Sequence, residues 1–179
     1  ILIFMLLTAI QAKSQSGFYW GKQAGTDKEE YILSQVVDIE GNVYISGKTR
    51  GDLEGKNSGN NDGFISKLDS TGKTIWTRQF GTLGEEDILW SAIDEKGNIY
   101  ITGSTTGDLV GKNKGKEDIF VVKFNPVGQI AWTRQIGTDS LDVARGIYTD
   151  KKGFVYITGQ TLGKLGKVAS GNSDALLIK

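Results

Sequence analysis

Short apolar runs alternate with glycine-marked polar turns along most of the chain. Residues 32–38, 43–48, 63–68 and 74–80 are rich in Val, Ile, Tyr, Phe and Trp, and apolar and polar side chains often alternate within them. A period of two sends successive side chains to opposite faces of an extended strand, so these runs predict β-strands. Glu40-Gly41-Asn42, residues 50–61, Ser70-Thr71-Gly72 and Leu83-Gly84-Glu85 separate the runs. Glycine after polar residues suits a hairpin that needs one left-handed backbone position. No segment combines a helical period with capping residues. The expected fold class is all-β.

The pattern repeats. Trp20, Trp76 and Trp132 are spaced 56 residues apart, and Gln23, Gln79 and Gln135 keep the same offset. So do Gly25-Thr26, Gly81-Thr82 and Gly137-Thr138. Asp38, Asp94 and Asp150 follow, then Gly41, Gly97 and Gly153, Tyr44, Tyr100 and Tyr156, and Gly47, Gly103 and Gly159. Asp62, Asp118 and Asp174, with Lys67, Lys123 and Lys179, close the units without a gap. Four antiparallel strands per unit, without helices, describe the blade of a β-propeller. A β-solenoid would use shorter repeats. The chain is therefore expected to be a β-propeller fragment of three repeats over residues 15–179.

Residues 1–14 differ. Ile1–Ile10 is an almost unbroken apolar run, too short for the roughly 20 residues that cross a bilayer. Gln11-Ala12-Lys13-Ser14-Gln15 supplies a small-residue cleavage region after it. The segment reads as a signal-peptide remnant rather than a membrane span or a buried strand, and predicts export.

Composition narrows the chemistry. Lys plus Arg and Asp plus Glu both count 21, so the formal charge is zero and no basic surface points to nucleic acid. There is no cysteine and no histidine. Disulfides, thiolate metal sites, histidine-based triads and the HExxH zinc motif are excluded. The sequence names no cofactor and no catalytic residue.

The motif Trp-x-Arg-Gln-x-Gly-Thr, then Asp-x-x-Gly-Asn-x-Tyr-x-x-Gly-x-Thr, then Asp-x-Phe-x-x-Lys resembles the bacterial β-propeller repeat family called SBBP. Residues 76–82, 94–105 and 118–123 carry it best. The resemblance implies a secreted or surface-exposed bacterial protein with several blades in a ring. The family has no agreed catalytic residues to carry over. The third unit departs from the motif, with Phe154 at the turn Asn and Lys164 at the Asp of Gly-Asp-Leu.

The hairpin at Gly41 is expected to join the two inner strands of a blade, which makes the Trp76 strand outermost. Phe18-Tyr19-Trp20 then opens the mature chain as an outer strand, and residues 175–179 end it as a third strand. That offset suits ring closure by strand exchange, which hides an exposed edge. Three blades fall short of the usual ring of about four to eight. Further blades beyond Lys179 are expected, with a dimer of three blades plus three as the alternative.

Residues repeated in every unit read as architecture. Asp38, Asp94 and Asp150 suit turns better than calcium, because Lys96 and Lys152 stand where Glu40 stands in the first unit. Asp62, Asp118 and Asp174 suit capping of the preceding loop or contacts between blades. The repeated Trp and Tyr residues suit packing. Trp90 is different: its equivalents are Ser34 and Gly146, so it is a candidate contact near the ring axis. The long connections 50–61, 106–117 and 162–173 share one face, where Arg50, Lys56, Asn57, Lys112 and Asn113 are candidate ligand-binding residues. The expected function is an extracellular binding or scaffolding module that presents this face to a protein or glycan. A carboxylate-based carbohydrate-active enzyme, drawing on Glu85-Glu86-Asp87, and a purely structural blade array are the alternatives.

Overall fold

The computed structural model describes residues 20–166 and 171–179. The apolar leader and Phe18-Tyr19 lie outside the described residues. The strands are β1 (Glu30–Val37), β2 (Val43–Thr49), β3 (Asp62–Leu68), β4 (Thr74–Phe80), β5 (Glu86–Ile93), β6 (Ile99–Thr105), β7 (Asp118–Phe124), β8 (Ile130–Ile136), β9 (Asp142–Thr149), β10 (Val155–Thr161) and β11 (Asp174–Ile178). They form three sheets, in the orders β1-β2-β3-β4, β5-β6-β7-β8 and β11-β10-β9. Every pairing is antiparallel between chain neighbours. The architecture is an all-β propeller fragment.

The fourth predicted run matches β4 residue for residue. The first begins two residues early, because Glu30 and Tyr31 pair with Thr49 and Lys48. β5 packs against both β1 and β9, so the first strand of each sheet lies where the sheets converge. β4 and β8, which carry Trp76 and Trp132, lie at the far edge of their sheets. This is the phase expected from the hairpin positions.

Two glycine positions show why the repeat is strict. Gly97 has φ of 76° in the hairpin between β5 and β6, a conformation that an L side chain rarely adopts. Its N–H closes the turn onto the Asp94 carbonyl at 3.0 Å. Gly103 faces a bulge between Ile88 and Trp90, where a Cβ would run into the Asp87 carbonyl oxygen. Gly47 meets the Tyr31 carbonyl in the same way.

The core sits between sheets rather than within one. Tyr44 and Ile65 of the first sheet pack with Ile88, Ile99, Ile101, Phe120, Val122 and Phe124 of the second. Ile119 and Val121 of the second pack with Ala144 and Ile157 of the third. Alternation along β7 thus serves both seams: Phe120, Val122 and Phe124 face one, and Ile119 and Val121 the other. Phe80 links the first seam edge-on to Phe120, with ring centroids 6.1 Å apart. Removing the Phe120 ring leaves a cavity at the centre of this seam. Phe120→Ala is expected to destabilise the protein by about 3–5 kcal/mol, read from the urea midpoint at constant m-value.

Candidate binding face

The short-hairpin face is built from three copies of one hydrogen-bonded unit. Asp94 Oδ1 accepts the N–H groups of Lys96 and Asn98, each at 2.9 Å. Its Oδ2 accepts Asn98 Nδ2 at 2.8 Å and the Tyr100 hydroxyl at 3.0 Å. Asp38 repeats this with Glu40, Asn42 and Tyr44. Asp150 repeats it with Lys152, Phe154 and Tyr156, without the amide that Phe154 lacks. The lysines of the third strands lie over the tyrosine rings, Lys67 at 5.0 Å from the Tyr44 centroid and Lys123 at 5.1 Å from that of Tyr100. Trp76 and Trp132 close the column against the same tyrosines, with centroids 6.0 and 5.9 Å apart. These carboxylates are filled with turn and tyrosine donors.

The opposite face is framed just as tightly. Asp62 accepts the Ser58 N–H at 3.1 Å and Gln79 Nε2 at 2.9 Å, and Asp118 accepts the Lys114 N–H and Gln135 Nε2. Each aspartate therefore ties the end of a long connection to the outer strand of its own sheet. Gln79 Oε1 takes the N–H groups of Leu53 and Glu54, and Gln135 Oε1 those of Leu109 and Val110. A buried acid also stands at the start of β5. Glu86 accepts the N–H and hydroxyl of Thr82 at 2.8 and 2.7 Å, and the Thr105 hydroxyl at 2.7 Å.

The structure sorts the six candidate contact residues into four kinds. Asn57 and Asn113 hold their own loops: Asn57 Nδ2 donates to the Thr49 carbonyl at 3.2 Å, and Asn113 Nδ2 to that of Thr105 at 2.9 Å. Arg50 bridges Glu29 at 2.8 Å and Asn61 at 3.2 Å, so its charge is partly answered. Lys56 and Lys112 are exposed on the same connections. Trp90 stands apart from these five, in mid-strand opposite Thr102, with 48% of its surface exposed. Its equivalent Ser34 is small for a visible reason: the Ser34 and Ser91 hydroxyls share a hydrogen bond of 2.7 Å that joins β1 to β5. A depression of about 570 Å³ lies on the long-connection face, lined by Thr82 and Leu83 of the connection before β5 and by Thr106 and Asp108 of the connection after β6.

The acid at the start of the inner strand was not singled out by sequence reasoning as a repeated position. The signal was present, since Glu30, Glu86 and Asp142 keep the 56-residue offset, as do Thr49, Thr105 and Thr161. In sequence Glu86 is one member of a dense acidic loop, and the fold buries it to 0% exposure. Asp87 pairs with Lys48 at 2.6 Å, and Glu85 accepts from Asn60. The acidic triplet thus points three ways.

Residues 75–109 and 131–167 each match the model of a beta-propeller repeat, SBBP. Each match begins on an outer strand and runs into the inner strands of the next sheet, so the sequence unit straddles two blades. An uncharacterized WD repeat-containing protein of Acanthamoeba polyphaga mimivirus is 26% identical over 57% of this chain and 9% of its own length. The regulatory protein FlaEY of Caulobacter vibrioides is 28% identical over 86% of this chain and 17% of its own length. The chain thus spans less than a fifth of either relative. A protein of unknown function from Bacteroides caccae, of known crystal structure, aligns over 78% of this chain and 42% of its own, at 14% identity and a TM-score of 0.46.

The turn aspartates make a pH prediction. Burial pushes the Asp94 carboxyl up, but bonds from Asn98, Tyr100 and Lys96 outweigh it and hold the group below the ordinary 3.8. A depressed folded value contributes stability that is present above the unfolded value and lost as pH falls through the folded one. Asp94→Asn is expected to cost about 1–3 kcal/mol at pH 7, because the NH2 that replaces one carboxylate oxygen cannot accept from Asn98 Nδ2 and the Tyr100 hydroxyl. The gap between variant and wild type should close as pH falls below 3.8, measured by urea unfolding across pH.

Proposed function

Because the chain carries SBBP beta-propeller repeats, we propose that it is a binding or scaffolding module, exported to the cell surface or medium, whose long-connection face takes a protein or glycan. The observation that carries this reading is a rigid frame with unlike occupants. Asp62 and Asp118, Gln79 and Gln135, and Asn57 and Asn113 fix the connections in the same way. On that frame Arg50, Thr106 and Leu162 differ, and so do Glu54, Val110 and Gly166. Pre-formed loops with differing side chains give specificity at low ordering cost. The apolar run Ile1–Ile10 and the small residues after it support export.

Further blades belong to the same proposal. Trp20 Nε1 donates to the Ser70 carbonyl at 3.2 Å, and its ring covers Gly72 as Trp76 covers Gly128. Lys22 reaches the Gly72 carbonyl as Arg78 reaches that of Gly128. Residues 20–22 thus hold, against the first sheet, the place that β4 holds against the second. They belong to no strand of the described residues, and β9-β10-β11 make a three-stranded sheet where the other two have four; further blades would supply partners to both. An apolar cleft of about 330 Å³, lined by Trp20, Ile32, Ile45, Phe64 and Leu68, is where another blade would pack.

The carboxylate-enzyme alternative draws little support from the acidic loop, since Glu86 is buried and bonded to two threonines. The binding reading is tested by screening the protein against a glycan array and against surface extracts, then measuring the affinity of each hit for variants. Trp90→Ala and the double variant Arg50→Ala, Lys56→Ala should each weaken a genuine ligand by about tenfold, a larger effect than on Tm, since Trp90 and Arg50 are about half exposed and Lys56 is exposed. Turnover of a polysaccharide by wild-type protein would favour the enzyme reading. Ligands that bind all variants alike would remove this face and the inner strand from consideration.

A further inference from the structure

At one buried position the seam between the second and third sheets carries a shorter carboxylate than the first. Glu86 reaches the threonine at the end of β6, and Glu30 likewise accepts from Thr49 at 2.9 Å. Asp142, in the same position, is one methylene shorter. Its Oδ2 accepts the N–H and hydroxyl of Thr138 at 2.6 and 2.8 Å. Thr161 keeps the bonds to the Gly163 backbone, as Thr49 does to Gly51, but has no carboxylate to donate to. Asp142 Oδ1 is left buried with no partner.

A second unpartnered oxygen belongs to the same seam. Glu117 and Leu141 form a parallel bridge, and the Asp142 N–H donates to the Glu117 carbonyl at 2.9 Å. Asp118 and Asp142 are the next residues along the two strands, the first of β7 and the first of β9. Asp118 Oδ2 accepts the Lys114 N–H at 3.2 Å and Gln135 Nε2 at 3.0 Å. Its Oδ1 lies over Gly137, next to the Thr138 that Asp142 holds, and it too is buried without a partner. Asp118 is 1% exposed and Asp142 0%, and no ion pair among the described residues involves either.

Two carboxylates in a dry seam repel each other, and each free oxygen is a strong acceptor removed from water. We propose that a hard, oxygen-seeking cation of the calcium class binds between the second and third sheets, held by Asp118 Oδ1 and Asp142 Oδ1. Such ions take about six to eight oxygens and accept water and carbonyls alongside carboxylates. The first seam is the internal control. There the Glu86 oxygens accept from Thr82 and Thr105, and both Asp62 oxygens accept the Ser58 N–H, so no oxygen is left for an ion. The cation makes the seam between two blades dependent on the medium.

The test is calcium titration of chelator-treated protein, read by calorimetry and by thermal unfolding. One ion per chain is expected, with Tm rising by about 5–10 °C at a hundredfold excess over Kd. Asp142→Glu supplies the missing methylene and reproduces the Glu86 bonds. It should fold at least as well as wild type without calcium and lose the calcium response. Asp118→Asn should also lose the response. Wild-type protein that ignores calcium would overturn the proposal, as would a response retained in both variants. Stabilisation by Asp118→Asn, with wild-type protein indifferent to calcium, would overturn it too, by showing that the seam needs one charge fewer and not an ion.

Discussion

Everything in this structure depends on apolar strand faces being buried between sheets. A four-stranded sheet has two faces and no interior, so a blade cannot supply its own core. β7 shows the constraint most directly. Its residues alternate, but both phases of the alternation are apolar and both are buried, because a sheet packs on either side of it. β11 has the same sequence logic with one neighbouring sheet in place, and Leu177 is accordingly 70% exposed. The stability of a blade is set by what stands beside it.

Seams of this kind leave little water for polar groups, so the polar residues that fix the strand ends must be satisfied internally. That explains the economy of the repeated side chains. Gln79 serves two loop N–H groups, the Gly51 carbonyl and Asp62 at once. Asp38, Asp94 and Asp150 each serve a turn and a tyrosine hydroxyl. A substitution in any of these breaks several bonds in a medium where an unpaired group is costly, which keeps the three copies alike.

Much of the fold was legible in the sequence because its signals are local. The 56-residue offset, the glycines of the hairpins and the period of two together fix strand order and phase, since a meander leaves few choices. The turn role of Asp38 and its copies was legible for the same reason, as the donors lie within six residues. What was not legible joins neighbouring strands or ties a loop back to a strand end. Glu86 looks like part of a solvated acidic loop until the fold brings Thr105 onto it. Asn57 and Asn113 look like free polar contacts until their amides reach back eight residues to a strand end. Arg50 looks free until Glu29 and Asn61 arrive from outside its own turn.

The same contrast orders the search for specificity. Positions where the copies agree are held by bonds that every blade needs, so they carry the ring and not its choice of ligand. Positions where they differ are released from that need, or answer a local one. Ser34 is small because its hydroxyl must meet Ser91 between β1 and β5, which ties its identity to packing. Trp90 has no such tie: it is half exposed at a place where a serine and a glycine serve equally well. Asp142 differs from Glu86 by one methylene, yet that methylene decides whether a buried oxygen has a partner. Single departures from the repeat thus bear differently on the chain according to where they fall. On the inner strand and the long connections they alter what a ligand meets, and in a seam they alter what holds two blades together.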